Sequence, residues 1–177
     1  ARPGDTLIGV ASSGLHSNGF SLARRVVGAM GLPLDRAVPE LGEAPLGRAL
    51  LTPTRIYARA VSALLAAIPE GVRGISHITG GGLGGNVPRV LPEGVGAHLE
   101  MASWERPPIF QLIARGGPVE EAEMRRTFNL GVGLVVVVRK DDTEAALAAL
   151  RGAGERAWVL GETTASDEVD EARVTFA

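Results

Sequence analysis

Cysteine is absent from the 177 residues, so this chain can build no disulfide, thiolate nucleophile or cysteine-bound metal. Lysine is almost absent. Lys140 is the single lysine among 18 basic residues, and the others are planar, permanently charged arginines. Strong charge of either sign is missing too: a net charge of -2 creates no field to draw in a nucleic-acid backbone or an anionic membrane. No apolar run approaches the roughly 20 residues that cross a bilayer, and the first residues lack the charged and apolar blocks of a secretory signal. The expectation is a cytosolic protein with no nucleic-acid or membrane partner. An initiating methionine is also lacking, and "ARPGDTLIGV" opens almost directly on a strand, as a piece of a longer chain would.

What is present is a foldable core. With 45% hydrophobic and 21% charged residues, the chain is expected to form one compact domain over 1–177. "TLIGVAS" (6–12) reads as a strand, and Phe20, Ala23, Val26, Val27 and Met30 then recur at helical spacing. In "LTPTRIYARAVSALLAAIPEG", Thr52 can cap and Pro53 can open a helix that is apolar almost all round and is therefore expected to be buried over most of its surface. "VRGISHI" (72–78) reads as a strand, and "VPRVLPEG" as a short helix bracketed by prolines. "GVGAHLEM" (94–101) alternates, which suits an antiparallel or edge strand. Two helices broken at 116–118 follow, then "VGLVVVV" (132–138), apolar on both faces and so central. A helix over "DDTEAALAALRGAG" and strands over "AWVLGET" and "ARVTF" complete the chain. The fold class this pattern predicts is α/β (α+β), a mixed β-sheet flanked by helices.

Three stretches carry chemistry. In "ASSGLHSNGFSLARR", Gly14 and Gly19 free the backbone, Ser17 or Asn18 can cap the following helix, and the amides at that helix start can hold an anion. The plain structural alternative is that these residues only cap, with His16 half exposed. In "HITGGGLGGN", Thr79 leads into Gly80, Gly81 and Gly82, whose missing side chains let a ligand reach successive N–H groups; the alternative is a tight turn. The run fits neither a Walker A loop nor a dinucleotide fingerprint. In "RTFNLGVGL", Asn129 is either a left-handed turn residue or a ligand contact. His16, His77 and His98 share no metal-ligand spacing, and the serines fit no nucleophile elbow.

Together, "GDTLIGVASSGLHSNGFSLARRVV", "LLTPTRIY", "ISHITGGGLGGNVPRVLPEG" and "RPPIFQLIARGGPVEEAEMRRTFNLGVGLVVVV" closely resemble, in order and spacing, the C-terminal half of the phosphoribosylformylglycinamidine cyclo-ligase (AIR synthetase) family of purine biosynthesis. The resemblance covers most of the chain. It implies an ATP- and Mg²⁺-dependent closure of formylglycinamidine ribonucleotide to aminoimidazole ribonucleotide by a cytoplasmic homodimer, with the active site in a groove against the enzyme's own N-terminal domain. That domain, which carries most nucleotide and Mg²⁺ ligands in the family, lies outside this sequence, so no metal and no tightly bound cofactor are expected here. Ser13, Gly14, His16 and Asn18 are then expected to line the groove, with Thr79, Gly80, Gly81 and Gly82 contacting phosphate and Asn129 beside them. His16 is the candidate for proton transfer or oxyanion stabilisation, because histidine alone titrates near neutrality. The chain departs from the pattern at Gly84 and Gly85, where relatives often have bulkier or acidic residues. Formylglycinamide ribonucleotide amidotransferase, selenophosphate synthetase and thiamine monophosphate kinase share the architecture and are the alternatives, with a noncatalytic phosphate-binding module as the second class.

Overall fold

The computed structural model describes residues 1–177. Six strands form one sheet in the order β2-β4-β1-β5-β3-β6, with β1 Thr6–Ala11, β2 Val72–His77, β3 Val95–Leu99, β4 Val132–Val138, β5 Ala157–Ala165 and β6 Val174–Phe176. Every neighbouring pair is antiparallel except β3 and β6, so the sheet is mixed. Seven α-helices flank it: α1 Phe20–Ala29, α2 Leu46–Leu50, α3 Ala58–Ala67, α4 Gly82–Asn86, α5 Pro108–Gly116, α6 Glu121–Thr127 and α7 Thr143–Gly152.

Alternation sorts the side chains of β1 and β4 into two cores. Ile8, Val10, Leu134, Val136 and Val138 face α3 and α7, while Leu7, Val135 and Val137 face Leu83, Val87 and Leu91. Each valine of β4 is buried, as expected for a strand with neighbours on both sides and layers on both faces. A third cluster joins α1, α5 and α6. Within it the Phe110 and Phe128 rings meet at 5.8 Å and anchor the end of α6 beneath the sheet's rim.

Three local readings are corrected. α3 begins at Ala58, not near Pro53; Thr52 instead bonds back to the Ala49 carbonyl, and residues 52–57 run as an irregular strap. Nor is α3 buried over most of its surface: Ala60 and Leu64 are buried and Val61 packs beside them, while Leu65 and most of the remaining alanines lie exposed. The alternating strand β3 is antiparallel to β5, one of the two positions its pattern allows, and β6 adds beyond it. Neither Ser17 nor Asn18 caps α1: Gly19 occupies that position in the left-handed region with no side-chain cap, and Asn18 is engaged elsewhere. Helix α2, within a stretch that carries no helical periodicity, is one short turn.

Candidate functional site

Topology places the three polar stretches together. β1 and β2 are both antiparallel to β4, so they run the same way and their C-terminal ends leave the sheet on one rim. On that rim β4 begins, preceded by Asn129, and β5 begins, preceded by Glu155. The first two turns touch: the Gly80 amide donates to Asn18 Oδ1 at 3.0 Å. Asn18 Nδ2 in turn donates to the His16 carbonyl at 2.6 Å, and this amide does the joining instead of capping a helix.

His16 is 2% exposed, so the expectation of a half-exposed ring under the structural alternative is wrong. Its Nε2 accepts the Ser13 amide at 2.9 Å and the Arg55 amide at 3.3 Å, with Ser13 Oγ at 3.0 Å, and Nδ1 is buried without a partner. Peptide N–H groups cannot rotate away, so Nε2 holds the lone pair and the neutral ring carries its proton on Nδ1. Burial, then the nearby charges of His77 and Arg55, lowers its pKa from 6.5 to about 4. His16 and Ser17 also hold φ of 52° and 58°, two successive side-chain-bearing residues in the left-handed region, where backbone strain concentrates.

The lowered pKa fixes a pH dependence. Unfolded His16 takes up its proton near pH 6.5 and the folded ring only near pH 4, so stability is full above the first value and declines as pH falls toward the second, by about 3 kcal/mol in total. Urea unfolding at pH 7 and pH ~4.5 should show this loss, and the same pair of melts for His16→Gln should lack it. Equal acid losses in both proteins would place the proton uptake elsewhere.

The 52–57 strap is stitched over the first turn. Ser13 Oγ donates to the Pro53 carbonyl at 2.7 Å, Arg55 binds Glu155 at 3.0 Å, and Tyr57 OH donates to the Ala11 carbonyl at 2.7 Å. Burial pushes the Tyr57 hydroxyl above its ordinary pKa, so it stays a donor. Tyr57, His16 and exposed His77 form a ring triangle with centroids 6.1 to 6.2 Å apart. Gly133 makes room for it: a Cβ there would overlap Tyr57 OH and His16 Cε1. The site grouping made from sequence omitted Tyr57, His77, Arg55 and Glu155. The motif "LLTPTRIY" held a signal for Arg55 and Tyr57 and the stretch "HITGGGLGGN" one for His77, while Glu155 lay in no motif.

In the second turn, Asn86 is the organiser. Its Nδ2 reaches the carbonyls of Thr79, Gly80 and Gly82, and its Oδ1 accepts Thr79 Oγ1. The Gly82 amide donates to Thr79 O, while the Gly81 amide has no acceptor in the protein. Beside Gly81, Gly84 and Gly85 lies an open depression of about 700 Å³, walled opposite by Asp170 to Arg173. Asn129, 1% exposed, accepts Ser12 Oγ and the Gly131 amide and donates to the Gly14 carbonyl at 2.8 Å. It is not the left-handed residue; Leu130 and Gly131 take that conformation at φ 51° and 105°. No group of three or more His, Asp or Glu side chains converges as cation ligands would, so the chain's own residues do not fit a Mg²⁺ site.

The fold is shared with solved structures. Thiamine-monophosphate kinase from Stenotrophomonas maltophilia superposes with a TM-score of 0.60 at 15% identity, covering 99% of this chain and 51% of that one. HypE from E. coli superposes with a TM-score of 0.60 at 20% identity, covering 100% and 47%. At these identities the likeness is one of fold. The chain belongs to the family described as AIR synthase related protein, C-terminal domain, which matches residues 2–172. Among curated relatives, the phosphoribosylformylglycinamidine cyclo-ligase of Sorangium cellulosum is 63% identical over 98% of this chain and 50% of its own length. That of Symbiobacterium thermophilum is 54% identical over 93% and 47%. The chain therefore spans about half the length of these relatives.

Proposed function

We propose that this chain is the C-terminal half of a phosphoribosylformylglycinamidine cyclo-ligase, a single domain over 1–177 that forms the substrate side of the cleft in a cytoplasmic homodimer. In the complete protein, ATP activates the amide oxygen of formylglycinamidine ribonucleotide, a nitrogen of the same molecule attacks the activated carbon, and aminoimidazole ribonucleotide, ADP and phosphate leave. The Asn18 to Gly80 hydrogen bond carries the reading, because it makes one continuous polar surface of two turns far apart in sequence. The names and high identity of the relatives support the same activity. ATP and Mg²⁺ are assigned to the half outside this chain, and no step is derived through them.

On this surface Ser13, Gly14 and Asn18 face the substrate's ribose or phosphate from the first turn. Thr79, Gly80, Gly81 and Gly82 present the second, where the Gly81 amide is the one of the three glycine amides without a protein acceptor. Asn129 acts beneath them, holding Gly14 in place. Two amides occupy the lone pair of a ring whose pKa is lowered to about 4, which makes it a poor proton acceptor, so of His16's two candidate roles we retain oxyanion stabilisation by Nδ1–H, a role that requires the buried Nδ1 to be uncovered in the complete protein.

In the complete protein, His16→Ala is expected to reduce substrate-dependent ATP turnover by about a hundredfold, with the folded state checked by circular dichroism. Wild-type kinetics in that variant would remove His16 from the site. The 177 residues alone should show no cyclase activity, and turnover by them would overturn the division of parts.

A further inference from the structure

We infer that Arg55 and Glu155 are positioning residues that reinforce the Nδ1–H tautomer of His16, set first by the Ser13 amide, by holding the strap so that the Arg55 peptide N–H also lies on Nε2. Three observations meet in this pair. Glu155 has a side chain only 10% exposed, sits in the turn before β5, and sets its Oε2 3.0 Å from Arg55 Nη1 as an ion pair outside hydrogen-bond geometry. The same Arg55 supplies the backbone amide that reaches His16 Nε2 at 3.3 Å. Nothing helical holds this part of the chain, for α2 has ended and α3 begins only at Ala58, while Ile56 is 85% exposed and contributes no packing. The strap's register over the ring is therefore set by side-chain contacts: Ser13 to Pro53 on one side, Tyr57 to Ala11 on the other, and the ion pair at the residue that touches the histidine.

A free imidazole exchanges its proton between its two nitrogens and prefers neither strongly. With two peptide N–H groups directed at Nε2, only the Nδ1–H form avoids placing donor against donor. The ion pair thus acts at a distance on how firmly Nε2 is held as the acceptor, by keeping the second of its two donors in place. A carboxylate that is nearly buried, matched to one guanidinium, fixes that geometry better than two exposed side chains could. Besides Arg55, the charged and titratable groups near this ring are His77 from β2, Tyr57 at the end of the strap, and Glu155 behind Arg55. The inference extends the role given to His16 above, yet its test needs no substrate and so can fail or succeed separately from that reading.

The test is nitrogen NMR of the full-length protein labelled with ¹⁵N-histidine, His16 being assigned by the signal lost in His16→Gln. Wild-type His16 should show an unprotonated Nε2 and a protonated Nδ1, unchanged between about pH 7.5 and 5.5. Glu155→Gln, which conserves shape, and Arg55→Met should each withdraw the Arg55 amide and move the Nε2 resonance further from the protonated value, toward that of an acceptor nitrogen with one hydrogen bond fewer, while the Ser13 amide keeps Nε2 unprotonated, and Arg55→Lys should restore part of the wild-type pattern. A protonated Nε2 in the wild type overturns the inference without any variant. It is equally overturned if both variants fold, as judged by circular dichroism, and keep the wild-type resonances.

Discussion

Gly82→Ala is expected to destabilise the chain by at least about 3 kcal/mol. Gly82 is buried with φ at 61°, a conformation costly for alanine, and its new Cβ would lie within the carbonyl of Arg125 and against that of Phe128. Neither neighbour can yield cheaply. Both carbonyls belong to backbone at the end of α6, where Phe128 is locked against Phe110. The turn would have to lift away, and the Gly80 to Asn18 bond with it. Urea unfolding should show a lower midpoint at unchanged slope. Gly84→Ala is the internal control, since no atom lies within 4 Å of its added Cβ; exchanging glycine for alanine in the short helix α4 should be neutral or stabilising by up to about 1 kcal/mol. Equal losses in the two variants would mean that the glycine run is generally fragile and that the Gly82 contact is not the cause.

The second large effect belongs to Asn129→Asp, a change of one atom type. The new carboxyl can still accept from Ser12 Oγ and the Gly131 amide, but where Nδ2 donated to the Gly14 carbonyl it would set one acceptor against another in a buried site. The expected cost is about 3 kcal/mol at pH 7. The sign with pH is opposite to that of His16. Burial and the Gly14 carbonyl facing the second oxygen raise the folded pKa of the new carboxyl above its unfolded value, outweighing the two donors on the first oxygen, so the penalty is full above the folded pKa and shrinks as falling pH protonates the group and lets it donate to Gly14. Compared with the wild type at each pH, the Asn129→Asp deficit should narrow from pH 7 to pH ~5, whereas the Asn129→Ala deficit should stay constant. A constant deficit for both would show that the bond to Gly14 does not govern this position.

These positions show why the site was only partly legible. The glycine run and the polar first turn stand out because nothing in an ordinary core requires them, and their resemblance to a family followed from order and spacing. What each side chain does was less visible. Asn18 reads locally as a cap, yet its carbonyl oxygen lies on an amide 62 positions away. Thr52 and Pro53 read as a helix start, the pattern expected of those residues, yet the chain there is drawn off as a strap by contacts to Ser13, His16 and Glu155 that have no local signature. Asn86 attracted no assignment because its role depends on three carbonyls presented by a turn that exists only when folded.

By itself the sequence determined the periodic elements and the punctuation between them: β4 as a central strand because every residue in it is apolar, α1 and α5 as helices from their spacing, and breaks at Gly116, Gly117 and Pro118. Those signals are local, since hydrophobic period and backbone restriction act over a few residues. Tertiary structure alone decided that β1 and β2 point the same way across β4, which of His16's nitrogens keeps its proton, and which amides are left over for a ligand. The reason is that hydrogen bonds at a site are exclusive. An amide joined to Asn18 cannot be counted as open, and which partner it takes is settled only once distant parts of the chain have packed together.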